Sequence, residues 1–322
     1  MYVCRHGLHT WKQSNEKMST RRASCAESGR IQAVKVECSE DAQRDPEKLR
    51  MVYDSMECRF LEEGLNLGAV DAQSLYFHDT CEQGEQRLVS PLLYSQFVPA
   101  PLPPRSVRLC VAFMDDPTLA EEVHMAASDI FARGLTPDHF HHKSSSSHYH
   151  VTIFMTSQPH DMRPDPYTSP DGKHHHVEPR IDMLEREIQT MKDIVSTVAP
   201  PITLEVYKIL LADSGTLLLC LLDTSDSIYS IRRCFRESFP GAPPKQSTIY
   251  HMSLGRIVTP KQFSREQRHH IQSLCSTWSE TLRGRRCVVK ELHHVIEDQF
   301  TTVYGERTPL PLDSKIVQGK DT

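Results

Sequence analysis

Two stretches of this chain read as one pattern written twice. Tyr149-His150-Val151-Thr152-Ile153-Phe154 and Tyr250-His251-Met252-Ser253-Leu254-Gly255-Arg256 share, in order, a tyrosine, a histidine, an apolar residue, a hydroxyl residue and an aliphatic residue. Each lies in a partly β-branched, apolar run bounded by Ser- and Pro-rich sequence, which predicts a strand. A strand shows alternate residues on one face. His150, Thr152 and Phe154 are therefore expected on one face, and His251, Ser253 and Gly255 on the corresponding face of the other strand. The opposite faces, Tyr149, Val151, Ile153 and Met155 in one strand and Tyr250, Met252 and Leu254 in the other, are mostly apolar and should enter a core. By the same alternation Arg256 is expected to turn away from the histidine face, which leaves it only a secondary phosphate-binding candidate.

Two such strands facing each other across a cleft supply a general acid and a general base. His150 and His251 are the catalytic candidates. Thr152 and Ser253 are candidate hydrogen-bond donors to the non-bridging oxygens of a phosphate between them. No metal is needed for this chemistry, because an ordinary histidine already titrates near neutral pH. The bland alternative is a pair of sheet histidines capped by neighbouring hydroxyls. His78-Asp79-Thr80 and His142-Lys143-Ser144 also fit a bare His-x-Ser/Thr spacing, but neither continues into an aliphatic residue of an alternating strand. Phe154 has two open readings, a stacking surface for a base or a core aromatic at a strand end. Tyr149 and Tyr250 are expected to buttress the histidine strands from behind.

The paired motifs resemble those of the 2H phosphoesterase superfamily, named for two His-x-Thr/Ser-x-hydrophobic motifs. His251-Met252-Ser253-Leu254-Gly255-Arg256 is similar to its second motif, and His150-Val151-Thr152-Ile153-Phe154 fits the first. The resemblance covers roughly residues 105 to 306. It implies an α+β, bilobed 2H phosphoesterase-like fold, with two antiparallel sheets flanking a central cleft and helices on the outer faces. It also implies action on a 2′,3′-cyclic phosphate or related phosphodiester of a nucleotide or RNA end. The sequence leaves open which histidine is acid and which is base. A non-catalytic nucleotide-binding or protein-anchoring module on the same fold is the alternative.

A net charge of −5 offers no basic stripe for gripping long nucleic acid. The expected partner is instead a small nucleotide or an RNA end. The ten cysteines form no Cys-x-x-Cys pair, and Cys110, Cys220 and Cys287 sit inside expected strands as small hydrophobes, which fits a reducing, intracellular compartment, cytoplasmic or nuclear. The basic, Ser-rich amino terminus has two readings, a disordered tail or an organelle-targeting segment. No apolar run reaches the ~18 residues of a membrane helix. His139, His141 and His142, and the tract His174 to His176, invite a metal reading, but no carboxylate or cysteine stands beside them at a ligand spacing. They are read as loop histidines, with no metal and no other cofactor.

The pattern predicts a disordered tail over residues 1–44. A segment over 45–105 follows, with a helix at 46–63 whose apolar stripe (Leu49, Val52, Tyr53, Met56, Phe60) should pack on the main domain or on a protein partner. The rest of that segment, ending in Pro99, Pro101, Pro103 and Pro104, reads as a linker or surface lead-in. The two-lobed domain is expected over 106–306, with strand-helix-strand-helix occurring twice. A polar tail should fill 307–322.

Overall fold

A computed structural model of the protein describes residues 43–80, 88–97, 100–136, 138–168, 178–198 and 201–312. In chain order the elements are α1 (Pro46–Glu63), α2 (Leu67–Ser74), β1 (Phe77–Thr80), β2 (Leu88–Pro91), β3 (Arg108–Phe113), α3 (Pro117–Gly134), β4 (His141–Lys143), β5 (His150–Ser157), α4 (Ile181–Val198), β6 (Ile202–Leu211), β7 (Thr216–Asp223), α5 (Ser227–Ser238), β8 (His251–Ile257), α6 (Arg265–Leu282), β9 (Arg286–Val289), β10 (Glu291–Gln299) and β11 (Tyr304–Pro311). The fold is α+β. A four-stranded sheet has the order β11-β10-β3-β5, and a five-stranded sheet the order β4-β8-β7-β6-β9. Every strand pairing in them is antiparallel. Each sheet holds one of the two motif strands.

Local chemistry sets the element ends. Asp45 caps α1 by accepting from the Glu47 and Lys48 amides, and Pro46 takes the first turn, where its missing N–H costs nothing. Asp116 and Pro117 open α3 in the same way. Ser264 and Gln267 form a reciprocal capping box at α6. Gly215, at φ +81°, turns the β6–β7 hairpin where the Asp213-Ser214-Gly215 signal predicts it.

The helices do not stay with the strands that precede them. α3 follows β3 of the four-stranded sheet, yet its Phe131 lies against Gly255 of β8 and its Gly134 against Ile271 and Leu274 of α6. α5 follows β7 of the five-stranded sheet, yet Phe235 packs on Phe154 of β5 at 5.6 Å. The two lobes thus exchange helices, and one continuous core runs through both. On the outer face of the four-stranded sheet, α4 sends Glu187 into a buried cluster. Arg108 Nε donates to it at 3.0 Å, Thr156 Oγ1 donates at 2.5 Å, and His294 Nε2 lies 3.0 Å away. Burial favours the neutral acid, but Arg108 and these partners outweigh it and hold the Glu187 carboxyl well below its usual range.

One open alternative is decided and two expectations change. The helix at 46–63 spends its apolar stripe on this chain: Leu49, Tyr53 and Phe60 are buried in the shared core and Val52 is buried as well, so that stripe is not free for a protein partner. Residues 66–97 are not a loose lead-in. Their described residues, 66–80 and 88–97, form α2, the antiparallel pair β1 and β2, and a buried aromatic cluster around Tyr76, Phe77 and Tyr94. The last strand runs past residue 306 to Pro311, with Pro309 and Pro311 inside it. Proline is tolerated there because β11 is an edge strand, where one row of amides needs no partner.

Candidate active site

Both motif strands carry an extra residue at the same place. Along β5 the partners of Val111 and Cys110 are Thr152 and Phe154, so Ile153 is skipped. Along β8 the partners of Leu218 and Leu217 are Ser253 and Gly255, so Leu254 is skipped. Each is a β-bulge directly after the hydroxyl residue of the motif. Alternation therefore holds from the histidine to the hydroxyl residue and then inverts. His150 and Thr152, and likewise His251 and Ser253, are partly exposed on the faces expected, over buried Val151 and Met252. Tyr149 and Tyr250 are buried behind them.

Beyond the bulge, the faces that alternation assigns to Phe154, Gly255 and Arg256 are all reversed. Phe154 turns into the core against Phe235 and Phe239, so it is not a base-stacking surface. Gly255 turns the same way. A Cβ there would meet the Phe131 ring at 2.5 Å and the His142 carbonyl oxygen at 2.6 Å, so the space it leaves belongs to the core. The next residue, Arg256, is returned to the histidine face, opposite to the expected direction. Its Nη2 donates to Ser253 Oγ at 3.3 Å, and its Nη1 donates to Thr216 Oγ1 and Gln73 Oε1. A lone glycine inside a strand pattern was the sequence signal that could have revealed this.

The strands are held from behind by two buried side chains. Arg232 of α5 donates to the Thr152 and Ile153 carbonyls at the first bulge, at 2.8 and 2.9 Å, and to the Ile249 carbonyl just before β8. It also lies over the Tyr250 ring. Tyr53 of α1 donates to the Tyr250 carbonyl at 2.8 Å, and its oxygen accepts from the Tyr250 amide at 3.1 Å. Together they tie the β5 bulge to the residues just ahead of His251.

His150 Nδ1 is 2.7 Å from the His148 carbonyl, two residues back, so Nδ1 carries the proton and Nε2 is the free base. The Ile249 carbonyl, likewise two residues back, is the backbone partner that raises His251, although no contact of ideal geometry reaches its buried Nδ1. Burial lowers the proton affinity of both rings, to about 4 for His150 and about 3 for His251. Arg256 presses both down further, and His150 itself lowers His251, which places the three in one electrostatic environment. Arg256 is a largely buried cation whose Nε has no acceptor. Burial pulls its pKa to about 10, against Glu297 and Tyr94. Glu297 accepts from Tyr94 Oη at 2.7 Å and from the Val303 amide at 2.9 Å, and burial raises it to about 7. The site is thus short of negative charge. It holds a guanidinium with an unmet donor and two neutral imidazoles, the combination that an incoming anion would satisfy.

The region that composition left as a linker builds one wall of this site. Gln73 accepts from Arg256, and Tyr94 bonds Glu297. Phe300 lies under the Arg256 guanidinium and stacks on Tyr76 at 4.0 Å. A second group gathers at His150. Phe113, paired with His150 across β3 and β5, points to the same face. His293 meets the Phe113 ring edge-on at 5.1 Å, and Arg307 lies over it. Alternation on single strands gives no sign of these residues, because strand pairing alone brings them together.

The other histidines are dispersed. His139 stacks on Phe263, His141 on Phe131, and His142 lies by Phe77. His174 to His176 lie outside the described residues. Among the described residues, no three His, Cys, Asp or Glu side chains gather as a metal-holding group. No described helix is long and apolar enough to cross a membrane.

No family model matches the chain, and no curated protein matches it. Among solved structures, a conserved protein of unknown function, ATU0111 from Agrobacterium tumefaciens str. C58, is 13% identical with a TM-score of 0.45, over 64% of this chain and 84% of that one. Kluyveromyces marxianus Usb1, solved with uridine monophosphate, is 12% identical with a TM-score of 0.40, over 65% of this chain and 99% of that one. A second Usb1 structure gives 11% and 0.39. Likenesses this distant assign no role to any residue of this chain.

Proposed function

We propose that this protein is a metal-independent phosphodiesterase that acts on a 2′,3′-cyclic phosphate, or a related phosphodiester, at a nucleotide or RNA end. The observation that carries this reading is the matched pair of bulged strands. Each carries its histidine and hydroxyl residue on a partly exposed side, Arg256 joins Ser253 there, and both His150 and Arg256 lower the proton affinity of His251, which supports the three acting in one site.

The roles follow from which atoms have partners. One imidazole takes the proton of the attacking water, and the other gives a proton to the departing ribose oxygen. Thr152 and Ser253 donate to the non-bridging oxygens. Arg256 adds a charge-assisted donor through its unpartnered Nε. In the free site both histidines are neutral, as a base requires. The acid must be protonated, and the negative charge of the phosphate supplies the bias, because it raises the proton affinity of the rings that Arg256 and burial had lowered.

The test is turnover of a 2′,3′-cyclic nucleotide, and of a short RNA ending in a cyclic phosphate, in EDTA, by the parent, His150→Ala and His251→Ala. Activity that survives the chelator and falls at least about 10²-fold in each variant supports the reading. Nucleotide binding without turnover would make the cleft a binding module.

A further inference from the structure

Arg307 stands out in the neighbourhood of His150. Its guanidinium lies 4.6 Å from the centre of the Phe113 ring, and its Nε and Nη2 both donate to the Val303 carbonyl, at 3.1 and 2.9 Å. Those contacts hold the plane flat and fixed, and they leave Nη1 without an acceptor among the described residues. Arg307 is exposed, and no carboxylate of the described residues pairs with it. Phe113 in turn meets the His150 ring at 6.3 Å, so a single aromatic ring separates this cation from the proposed catalytic histidine. Arg307 also lowers the proton affinity of His148, His150 and His293, which places it on their side of the four-stranded sheet. It is a second cation, distinct from Arg256. Arg256 is largely buried on β8, whereas Arg307 is exposed on β11.

We propose that Arg307, held flat on Phe113, is a subsite for the phosphate next to the scissile one, so that the site is built for an oligonucleotide end rather than for a lone mononucleotide. The proposal rests on the two-histidine reading above. A fixed guanidinium with an unused N–H is suited to a phosphate oxygen, and its outer face is free to support the adjoining base. A mononucleotide has one phosphate, which Arg256 and the motif residues would take. Only a substrate with a second phosphate can also reach Arg307.

The experiment compares binding of two non-hydrolysable ligands across a salt series. One is a 2′-O-methyl nucleoside 3′-monophosphate, and the other is a 2′-O-methyl trinucleotide ending in a 3′-phosphate. The parent is compared with Arg307→Gln, Arg307→Lys and Phe113→Leu. The parent should bind the trinucleotide more tightly than the mononucleotide. Arg307→Gln should weaken the trinucleotide about tenfold, and the mononucleotide less than about twofold. The salt slope for the trinucleotide should fall by about 0.7, the value of one single-strand phosphate contact. Arg307→Lys should restore the slope but not the full affinity, and Phe113→Leu should lie between Gln and parent, because each keeps the charge but loses the fixed plane. Equal losses for both ligands, or no loss for either, would overturn the subsite while the two-histidine reading stands. A parent that binds both ligands equally would do the same. A parent that binds neither ligand would overturn the nucleotide-end reading itself, and this proposal with it.

Discussion

Arg256 Nη2 donates to Ser253 Oγ at 3.3 Å, although the two residues stand three apart on one strand and regular alternation would put them on opposite faces. The bulge at Leu254 makes this contact, and the bulge at Ile153 repeats the device in the other motif strand. The repeated motif thus specifies a kink as well as a histidine and a hydroxyl. That kink converts a core position into a site position.

Arg256 is a largely buried cation with no carboxylate in hydrogen-bond range, so it is not expected to hold the fold together. Replacing it by an apolar chain of similar length removes a buried charge but also its hydrogen bonds to Ser253, Thr216 and Gln73, so the two effects oppose each other. Arg256→Met should change stability by no more than about 1–2 kcal/mol, and should lower kcat/KM by at least about 10²-fold. Arg256→Lys should not rescue activity, since a lysine cannot reproduce the fork. Calorimetry beside steady-state kinetics checks both halves. A less stable but fully active Arg256→Met would contradict the assignment.

Gly255 is tested by adding one carbon. The Cβ of Gly255→Ala would press on the Phe131 ring and on the fixed His142 carbonyl. The expected cost is about 1–3 kcal/mol, read from urea unfolding, with lost activity as the bulge shifts.

Tyr53→Phe removes a hydroxyl that bonds Tyr250 through both its N–H and its carbonyl. The Tyr250 carbonyl keeps the Leu221 amide as a donor, so losing the hydroxyl's bonds to Tyr250 and to the Leu221 carbonyl should cost about 1 kcal/mol. Activity should fall as well, because Tyr250 directly precedes His251. Unchanged unfolding would show that α1 is only packed alongside the domain.

Stability should respond to acid in a defined window. Both histidines fold with proton affinities below the ordinary 6.5, at about 4 and about 3, so the unfolded chain takes up protons first. Their contribution is complete above about pH 6.5, and it drains away as pH falls through those folded values. Glu297, raised to about 7, runs the other way: its contribution is complete below the ordinary 4.5 and is lost as pH rises through 7. Urea midpoints measured from pH 7 to pH 4 should therefore fall less in a His150→Gln, His251→Gln double variant than in the parent. Parallel curves would mean that neither ring is held neutral.

Much of this was legible in residue order. The motif pair, its strands, the buried tyrosines and the caps at Asp45 and Asp116 follow from periodicity and turn chemistry, and the two antiparallel sheets are what the family resemblance implies. Arg256 and Phe154 were misplaced, because alternation is a rule for a regular strand and one skipped residue reverses it. Phe113, His293, Arg307 and Glu297 were invisible for a different reason. They reach the site through strand pairing between β3, β5, β10 and β11, which no local pattern encodes. Residues 66–97 looked like a linker because their apolar groups are aromatic and scattered, and their partners, Phe300 and Val258, lie far along the chain.

The central claim is that the two histidines divide the work of acid and base. A phosphodiester with an activated leaving group, a nucleoside 3′-(4-nitrophenyl phosphate), needs no proton on departure. Its turnover by the parent, His150→Ala and His251→Ala is the most direct measurement. The division predicts that one variant regains most of the parental rate on this substrate while the other stays at least about 10²-fold down, which would also identify the acid. Equal rescue of both variants, or of neither, would contradict it.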